Sequence, residues 1–579
     1  MNNEYDSNEN GNELHLISLR RKLAVAAVMI LGGLAASAAL PPLNCTALVY
    51  IAYLPLVFAA MRFRVRGAML CGLLFGWPWT LTAFWFLREI QGSFYSIPFI
   101  LATIIGAYYA IFAGLMSFMH RYLRWGRDWR LATATERAGK LPRWYGNMAF
   151  ALVFAAAYLV VIEWGRAWAL PWNYLAITHY KYPTFLQAGS LGSSYLISFF
   201  IIFFGAALGV DADSFLRRKK RAAIPWATLL AAALIGGNIL FGAVRMSSFD
   251  PGETTEVSLG LIQPNLSQRR AAGRAETIEA IEVTFDLMSK VAADGGAQAI
   301  ITPETTIPIP FSGAGSEGVQ LRWALKQFVD KQNVPLLIGV PDFEYESADS
   351  HELNHFNRAW LILPNIWPPS ESYDKSHRVP YGEYVPMRKY MPQWMIDVID
   401  MGRDLTPGNS FSPLNLLPGV RTGVAICFED VFPYISRREA QLGANMLLVI
   451  TNDAWYPTSA EPEQHFANCI LRAIETGLPM VRCGNNSASV VITPLGTLSD
   501  GLLRDDAGEV DPLSKERAFG VVKVEVAKTP LPTVFVRYGA WFIFSMLGVT
   551  LVGFLVACFR WYGDKQQLVQ QLKKNRGEK

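Results

Sequence analysis

Three short stretches in the second half of the 579-residue chain carry side chains that together could do acyl chemistry: Pro303-Glu304-Thr305, Tyr373-Asp374-Lys375 and Ile426-Cys427-Phe428-Glu429. Each follows an apolar run of strand-like composition, so three loops at strand ends can deliver a carboxylate, an ammonium and a thiol to one point. That set combines a base, an electrostatic clamp and a nucleophile. Glu304 follows the apolar Ala299–Thr302, and a carboxylate partly desolvated there has a raised pKa suited to taking a thiol proton. A fixed ammonium at Lys375 lowers a thiol pKa and stabilises an oxyanion. Cys427 ends an apolar strand and starts a turn ahead of a helix expected from Val431, whose N-terminal end carries positive partial charge. Taken singly these are a helix-terminus glutamate, an exposed lysine and an inert buried cysteine. Taken together they point to covalent catalysis.

The elements that position them divide unevenly. Hydrophobic residues make up 51% of the chain, charged residues 17%, and the mean hydropathy is +0.21, a balance that suits a chain partly dissolved in lipid. Apolar runs near the ~20 residues needed to cross a bilayer occupy Lys22–Leu40, Leu43–Met61, Ala68–Leu87, Ile97–Met119, Met148–Leu170, Phe185–Val210, Ile224–Val244 and Gly539–Phe559. The expected organisation is an N-terminal tail over 1–21, seven spans over 22–246, a globular domain over 254–531, an eighth span over 539–559 and a basic tail over 560–579. The fold class is thus a polytopic helical membrane bundle of about eight spans carrying one large soluble α/β domain.

Charge placement sets the orientation. Arg20, Arg21 and Lys22 precede the first span and Arg62, Arg64 and Arg66 follow the second. Seven basic residues, Arg121, Arg124, Arg127, Arg130, Arg137, Lys140 and Arg143, fill the fourth-to-fifth loop, and Arg217–Arg221 precedes the seventh span. Arg560, Lys565, Lys573, Lys574, Arg576 and Lys579 follow the last. With alternating spans all fall on one side, which the positive-inside rule makes the cytoplasm, so the soluble domain faces outward. The formal net charge of +4 hides this asymmetry, and the basic clusters read as topology signals rather than nucleic-acid patches. Arg20–Lys22 followed by Ala24–Ala39 also has the form of a cleavable signal peptide. Cleavage would invert every loop, and an uncleaved first helix is the reading adopted.

Cys427, Cys469 and Cys483 belong to the outward domain, an odd set that leaves at least one free thiol; Cys469 and Cys483 could pair, which spacing alone does not show. No Cys/His cluster in the sequence suggests a metal, and no cofactor is expected. Strand-like runs are Glu256–Gln263, Gln298–Thr302, Val334–Val340, Ala359–Leu363, Thr422–Cys427, Met446–Thr451, Met480–Cys483, Ser489–Thr493 and Gly520–Val526; helical windows are Ala275–Ala293, Gly318–Gln332, Val431–Leu442 and Pro462–Thr476.

Neighbouring residues sharpen the picture: Tyr373-Asp374-Lys375-Ser376-His377-Arg378-Val379-Pro380-Tyr381-Gly382-Glu383, Thr451-Asn452-Asp453-Ala454-Trp455-Tyr456, Gln464-His465, Asn485-Asn486 and, within the fifth span, Glu163-Trp164-Gly165-Arg166-Ala167-Trp168 with Pro171-Trp172. From the first span to the last, the chain resembles the apolipoprotein N-acyltransferases, a membrane branch of the nitrilase superfamily. The resemblance implies an α-β-β-α sandwich for the soluble domain and a bacterial inner-membrane protein with a periplasmic catalytic domain. It implies that Cys427 takes an acyl chain from a phospholipid, typically phosphatidylethanolamine, and passes it to the α-amine of the diacylglyceryl-cysteine that begins an apolipoprotein. Glu304 would be the general base, Lys375 and the Phe428 backbone N–H would hold the oxyanion, and Glu383 and Glu429 would support the site. Two departures stand out. Phe428 occupies a position where well-known relatives carry tyrosine, and Arg269, Arg270, Ala271 and Ala272 stand where relatives often have a tryptophan.

The stretch after Glu383 is dense in large apolar side chains for a loop, with Met387, Tyr390, Met391, Trp394 and Met395, and reads either as a packed helix or as a lid touching the outer leaflet. Glu163 and Arg166, one helical turn apart, are expected to pair inside the membrane. The alternative function is a membrane-anchored amidase of the nitrilase type that gives its acyl group to water, for which eight spans and an apolar lid would be excess.

Overall fold

Among the described residues, six helices are long and apolar enough to cross a membrane: Leu19–Ala38, Ile97–Leu123, Tyr145–Gly165, Gly189–Leu216, Trp226–Ser248 and Trp541–Asn575. The computed structural model describes residues 5–89, 96–123, 143–168, 170–217, 224–267, 273–313, 315–345, 352–369, 371–393, 396, 404–456, 458–499, 503–511 and 514–576. The membrane helices are α1 (Tyr5–Ala38), α2 (Leu54–Arg62), α3 (Val65–Ala83), α4 (Ile97–Leu123), α5 (Arg143–Tyr158, continued by a π-helical turn Leu159–Gly165), α6 (Gly189–Arg217) and α7 (Trp226–Ser248), with a C-terminal helix Trp541–Asn575. Both expected spans outside the long set are present in altered form. The second folds as the shorter apolar stretch Thr46–Arg62, broken before Pro55, and the third is α3, 19 residues with Pro78 inside.

Helices α3 and α4 pack closely because Gly72 has no side chain; a Cβ there would sit 2.2 Å from the Tyr109 carbonyl oxygen. One end of the bundle is tied by polar contacts between helix ends: Arg62 to Asp213 at 2.7 Å, Asn147 to Asp211 at 2.9 Å, and Arg560 to the Leu123 carbonyl at 2.6 Å. The other end meets the soluble domain, where Gln464 donates to the Pro41 carbonyl (3.0 Å) and Gln187 to the Leu495 carbonyl (2.9 Å).

The soluble domain is built from two sheets. Strands β1 (Thr254–Gln263), β2 (Ala299–Ile301), β3 (Leu336–Tyr345), β4 (Leu353–Ile362), β5 (Glu371–Asp374) and β11 (Ala518–Ala527) form one in the order β11-β1-β2-β3-β4-β5. Strands β6 (Leu414–Leu417), β7 (Val420–Ile426), β8 (Met446–Thr451), β9 (Met480–Gly484) and β10 (Val490–Ile492) form the other in the order β10-β9-β8-β7-β6. Side chains alternate across each strand. Leu259, Leu261, Ile301, Val424, Ile426, Leu448 and Ile450 meet between the sheets. Ile262, Ile300 and Ile338 face outward against α8 (Arg274–Asp294) and α9 (Ser316–Gln332). On the second sheet Ala425, Leu447 and Val449 face outward against α10 (Pro433–Gln441) and α11 (Glu461–Thr476), and this layer continues without a break into the core of the membrane bundle. The result is an α-β-β-α sandwich whose second helical layer is covered by the bundle. Helix α11 is buried at every position but Glu463, polar residues included.

All nine expected strands and four expected helices appear, and β5 and β6 add to them. Cys469 and Cys483, a pairing the sequence leaves open, are not bonded to each other. All six cysteines are free, and Cys483 lies between the sheets while Cys469 lies in the outer helical layer, so the second sheet separates them. The membrane pair is a correction. Glu163 accepts from the Leu175 N–H at 2.7 Å, whereas Arg166 donates to the carbonyls of Ile162 (3.1 Å) and Leu170 (2.9 Å). Glu163 sits in the wider π-helical turn and Arg166 opens the 3-10 turn that follows it, so the i, i+3 spacing of an α-helix no longer stacks the two side chains.

Candidate active site

The three sequence-predicted groups do converge. Glu304 sits just past β2, in a loop that approaches β3 so closely that a Cβ at Gly339 would lie 2.4 Å from the Pro303 carbonyl oxygen. Lys375 follows β5, and Cys427 follows β7. Lys375 Nζ lies 3.3 Å from Glu304 Oε1 and 2.7 Å from Glu383 Oε1, with all three side chains largely buried. The Cys427 thiol and the Glu304 carboxyl are close enough that each shifts the other's titration. A fourth group, Asn357 on β4, donates to Glu304 Oε1 at 2.7 Å.

Electrostatics sets the resting protonation. Burial raises the Glu304 carboxyl above its ordinary range, Lys375 opposes this and Glu383 adds to it. Burial also pushes the Cys427 thiol well up, and the nearby Glu304 charge pushes it further against the pull of Lys375. Lys375 would lose its proton to burial alone, but Glu383 and Glu304 hold its pKa well above normal. The resting site is therefore a protonated thiol and a lysine ammonium, with the ammonium favouring the ionised form of Glu304 against its burial.

Cys427 adopts φ +54°, the left-handed region, immediately after β7 and at the start of a 3-10 turn, Cys427–Val431. Such a conformation costs a non-glycine residue on the order of 1–3 kcal/mol and is held only by its surroundings. Part of that hold is Glu429. Its Oε1 accepts from the Ser376 N–H (2.7 Å), the Ser376 hydroxyl (2.6 Å) and the His377 N–H (2.9 Å), and its Oε2 from the Ile426 N–H (2.8 Å). The Tyr373 hydroxyl lies 3.0 Å from both oxygens. One buried carboxylate thus ties the lysine loop to the cysteine elbow. Glu383 performs a similar task within its own loop, where Oε2 accepts from the Val379 N–H at 2.8 Å.

The elbow also touches the membrane bundle. Phe428 stacks on Trp172 with ring centroids 6.0 Å apart and planes 17° from parallel, and Trp172 Nε1 donates to Gln464 of α11 at 2.9 Å. Phe86 extends this aromatic surface between Trp172 and Tyr456.

The chain matches the apolipoprotein N-acyltransferase N-terminal domain family over residues 32–207 and the carbon-nitrogen hydrolase family over residues 258–508. The two matches take in the membrane bundle up to α6 and both sheets up to the approach of β11. The chain is similar to the apolipoprotein N-acyltransferases over both its membrane bundle and its soluble domain. Proteins similar to it include the apolipoprotein N-acyltransferase of Geobacter metallireducens, 27% identical over 81% of this chain and 85% of that protein. That of Allorhizobium ampelinum is 27% identical over 82% and 87%, and that of Brucella melitensis 29% identical over 63% and 66%. These likenesses agree with a multi-pass membrane protein carrying a nitrilase-like domain.

Of the lid candidates, Met387 and Tyr390 are exposed (70% and 73%) and Met391 is half-buried. Trp394 and Met395 lie outside the described residues, as do Arg269, Arg270, Ala271 and Ala272. Asn357, Trp172, Asp430, Asp453 and His465 were not singled out as site residues from the sequence, although Trp172, Asp453 and His465 lie in stretches that carried the resemblance. Cys427, Asp453 and His465 present ligand atoms within 4.8 Å of one another. Both His465 nitrogens face oxygen acceptors, Asp453 Oδ1 at 2.9 Å and the Cys427 carbonyl at 3.2 Å, contacts that a metal at this point would have to displace.

Proposed function

We propose that this protein transfers an acyl chain from a membrane phospholipid, through a thioester on Cys427, to the α-amino group of the diacylglyceryl-cysteine at the N-terminus of an apolipoprotein. The observation that carries this reading is the Glu304–Lys375–Cys427 cluster set against a membrane bundle, with the residue after the thiol stacked on Trp172 of that bundle. A hydrolase of water-soluble amides has no use for such a junction.

In the first step Glu304 takes the thiol proton and the sulfur attacks the ester carbonyl of the phospholipid. The tetrahedral oxyanion rests against the Lys375 ammonium and the Phe428 N–H. Its collapse breaks the ester C–O bond, Glu304 returns the proton to the leaving alkoxide, and a lysophospholipid departs. In the second step the acceptor amine attacks the thioester carbonyl, Glu304 takes a proton from the nitrogen, and collapse releases the amide and the thiol. Splitting the transfer lets one pocket serve two lipid substrates in turn. Phosphatidylethanolamine is the expected donor. The basic helix ends gathered opposite the soluble domain support a cytoplasmic location for that end and a periplasmic, inner-membrane location for the chemistry.

The test is mass spectrometry of the Cys427 peptide after incubation of the purified protein with isotope-labelled phosphatidylethanolamine vesicles. A labelled acyl adduct on Cys427, absent from Cys427→Ala, is expected. An adduct on another residue, or acyl transfer by Cys427→Ala, would remove the thiol from the mechanism.

A further inference from the structure

Beneath the cysteine elbow lies a buried charge cluster that the acyl chemistry above does not use. His465 of α11 is fully buried, as are Arg482 of β9 and Asp430, and Asp453 is nearly so. His465 Nδ1 faces Asp453 Oδ1 at 2.9 Å; Nε2 faces Asp430 Oδ1 at 2.8 Å and the Cys427 carbonyl oxygen at 3.2 Å. Carboxylates and carbonyls accept, and although Arg482 Nη2 also lies 3.4 Å from Nδ1, the nearer oxygens on both sides favour a ring protonated on both nitrogens. The surroundings support that state. Burial opposes the charge, and Asp430 and Asp453 outweigh it, holding the ring's pKa well above its ordinary value.

The cluster is rigid. Asp453 also accepts from Arg482 (2.6 Å), Ser487 (3.0 Å) and Thr451 (2.9 Å), and Asp430 accepts from the Cys469 thiol (2.9 Å). Glu461, 3.7 Å from His465 Nδ1, is pushed well above the carboxylate range by burial and by the charge of Asp453. The imidazolium and the Arg482 guanidinium thus lie against the Asp430 and Asp453 side chains, so neither buried cation is left unpaired.

The carbonyl held by His465 belongs to the peptide plane that joins Cys427 to Phe428. In a trans peptide the C=O and the following N–H point in opposite directions, so fixing one fixes the other. A cation on the carbonyl oxygen also polarises the amide and strengthens its N–H as a donor. We infer that His465 is a positioning residue which, through the Cys427–Phe428 peptide, orients and strengthens the Phe428 N–H as an oxyanion donor. This rests on the acyl-transfer reading, in which that N–H faces the tetrahedral oxyanion.

The role has a signature that a merely structural histidine lacks. Acylation of Cys427 by an ester passes through an oxyanion; alkylation by iodoacetamide does not. Loss of one oxyanion donor costs about 10²–10³ in rate. In the full-length protein in phospholipid nanodiscs, His465→Ala is expected to slow acylation of Cys427 by a p-nitrophenyl ester about 100-fold while iodoacetamide alkylation stays within about threefold. His465→Gln, whose neutral amide N–H can still reach the carbonyl, is expected to recover acylation to within about tenfold of wild type. Parallel loss of acylation and alkylation in His465→Ala, or unchanged acylation, overturns the assignment. If His465→Ala does not accumulate folded, His465→Gln decides. A few-fold loss confined to acylation supports the role, and either no loss or an equal loss in both reactions overturns it. Failure of the ester to acylate the wild-type thiol would instead sink the thioester reading itself.

Discussion

Glu429 and Ser376 lie 53 residues apart in the chain, yet the Glu429 carboxylate accepts both the backbone N–H (2.7 Å) and the hydroxyl (2.6 Å) of Ser376. Because Ser376 follows Lys375 and Glu429 follows Cys427 by two, this contact sets the distance between ammonium and thiol. Every group around the carboxylate is a donor, so Glu429→Gln turns its amide N–H₂ against N–H or O–H groups. A buried mismatch of this kind costs about 1–3 kcal/mol. The expected result is a lower thermal midpoint and slower acyl-enzyme formation, measured together on the reconstituted protein.

A second prediction concerns pH. Glu304 must be a carboxylate to take the thiol proton, and its pKa is raised by burial and, in part, by Glu383. The acid limb of acyl-enzyme formation therefore lies above the range of an ordinary glutamate. Glu383→Gln removes a negative charge that disfavours ionised Glu304, so its acid limb moves to lower pH. Single-turnover acylation rates across a pH series check the direction, and a limb that moves up contradicts the coupling.

The triad was legible because each member sits in a short local motif, and Glu304 and Cys427 come directly after the apolar runs of β2 and β7. What was missed depends on contacts remote in sequence. Asn357 reaches Glu304 only because β4 pairs antiparallel with β3, with Val340 opposite Arg358 and Pro341 opposite Asn357. His465 reads as one polar residue on an amphipathic helix until α11 is seen to be buried on every side. Strands β5 and β6 are four residues each, with charged or polar members, too short to show a period. The Glu163–Arg166 pairing failed for a different reason: the i, i+3 rule presumes an α-helix, and the backbone there is a π-turn running into a 3-10 turn.

The exposed apolar residues beside the lysine loop give a third prediction. Met387 and Tyr390 together present large apolar surface to solvent in the absence of a bilayer. If they insert among lipids, replacing either with serine weakens membrane engagement by up to about 1.5–3 kcal/mol. The apparent KM for vesicle phospholipid should rise while iodoacetamide reacts with Cys427 at the wild-type rate. An unchanged KM would show that these side chains stay in water.

Orientation is open to a direct check. Single cysteines introduced on the exposed face of α9, for example at Val319, should react with a membrane-impermeant maleimide from the periplasmic side of spheroplasts. Cysteines placed among the basic residues of the C-terminal tail, for example at Gln571, should react only after lysis. The reverse pattern would put the soluble domain in the cytoplasm.

The central claim is that the thioester is kept for an amine and not for water. The most direct measurement follows a labelled acyl group on wild-type Cys427 after removal of excess phospholipid, with and without a diacylated lipopeptide bearing a free α-amine. A long-lived acyl-enzyme that discharges onto the lipopeptide nitrogen on its addition is the predicted result. Rapid loss of the label as free fatty acid, at a rate the lipopeptide does not change, would contradict it and make the protein a hydrolase.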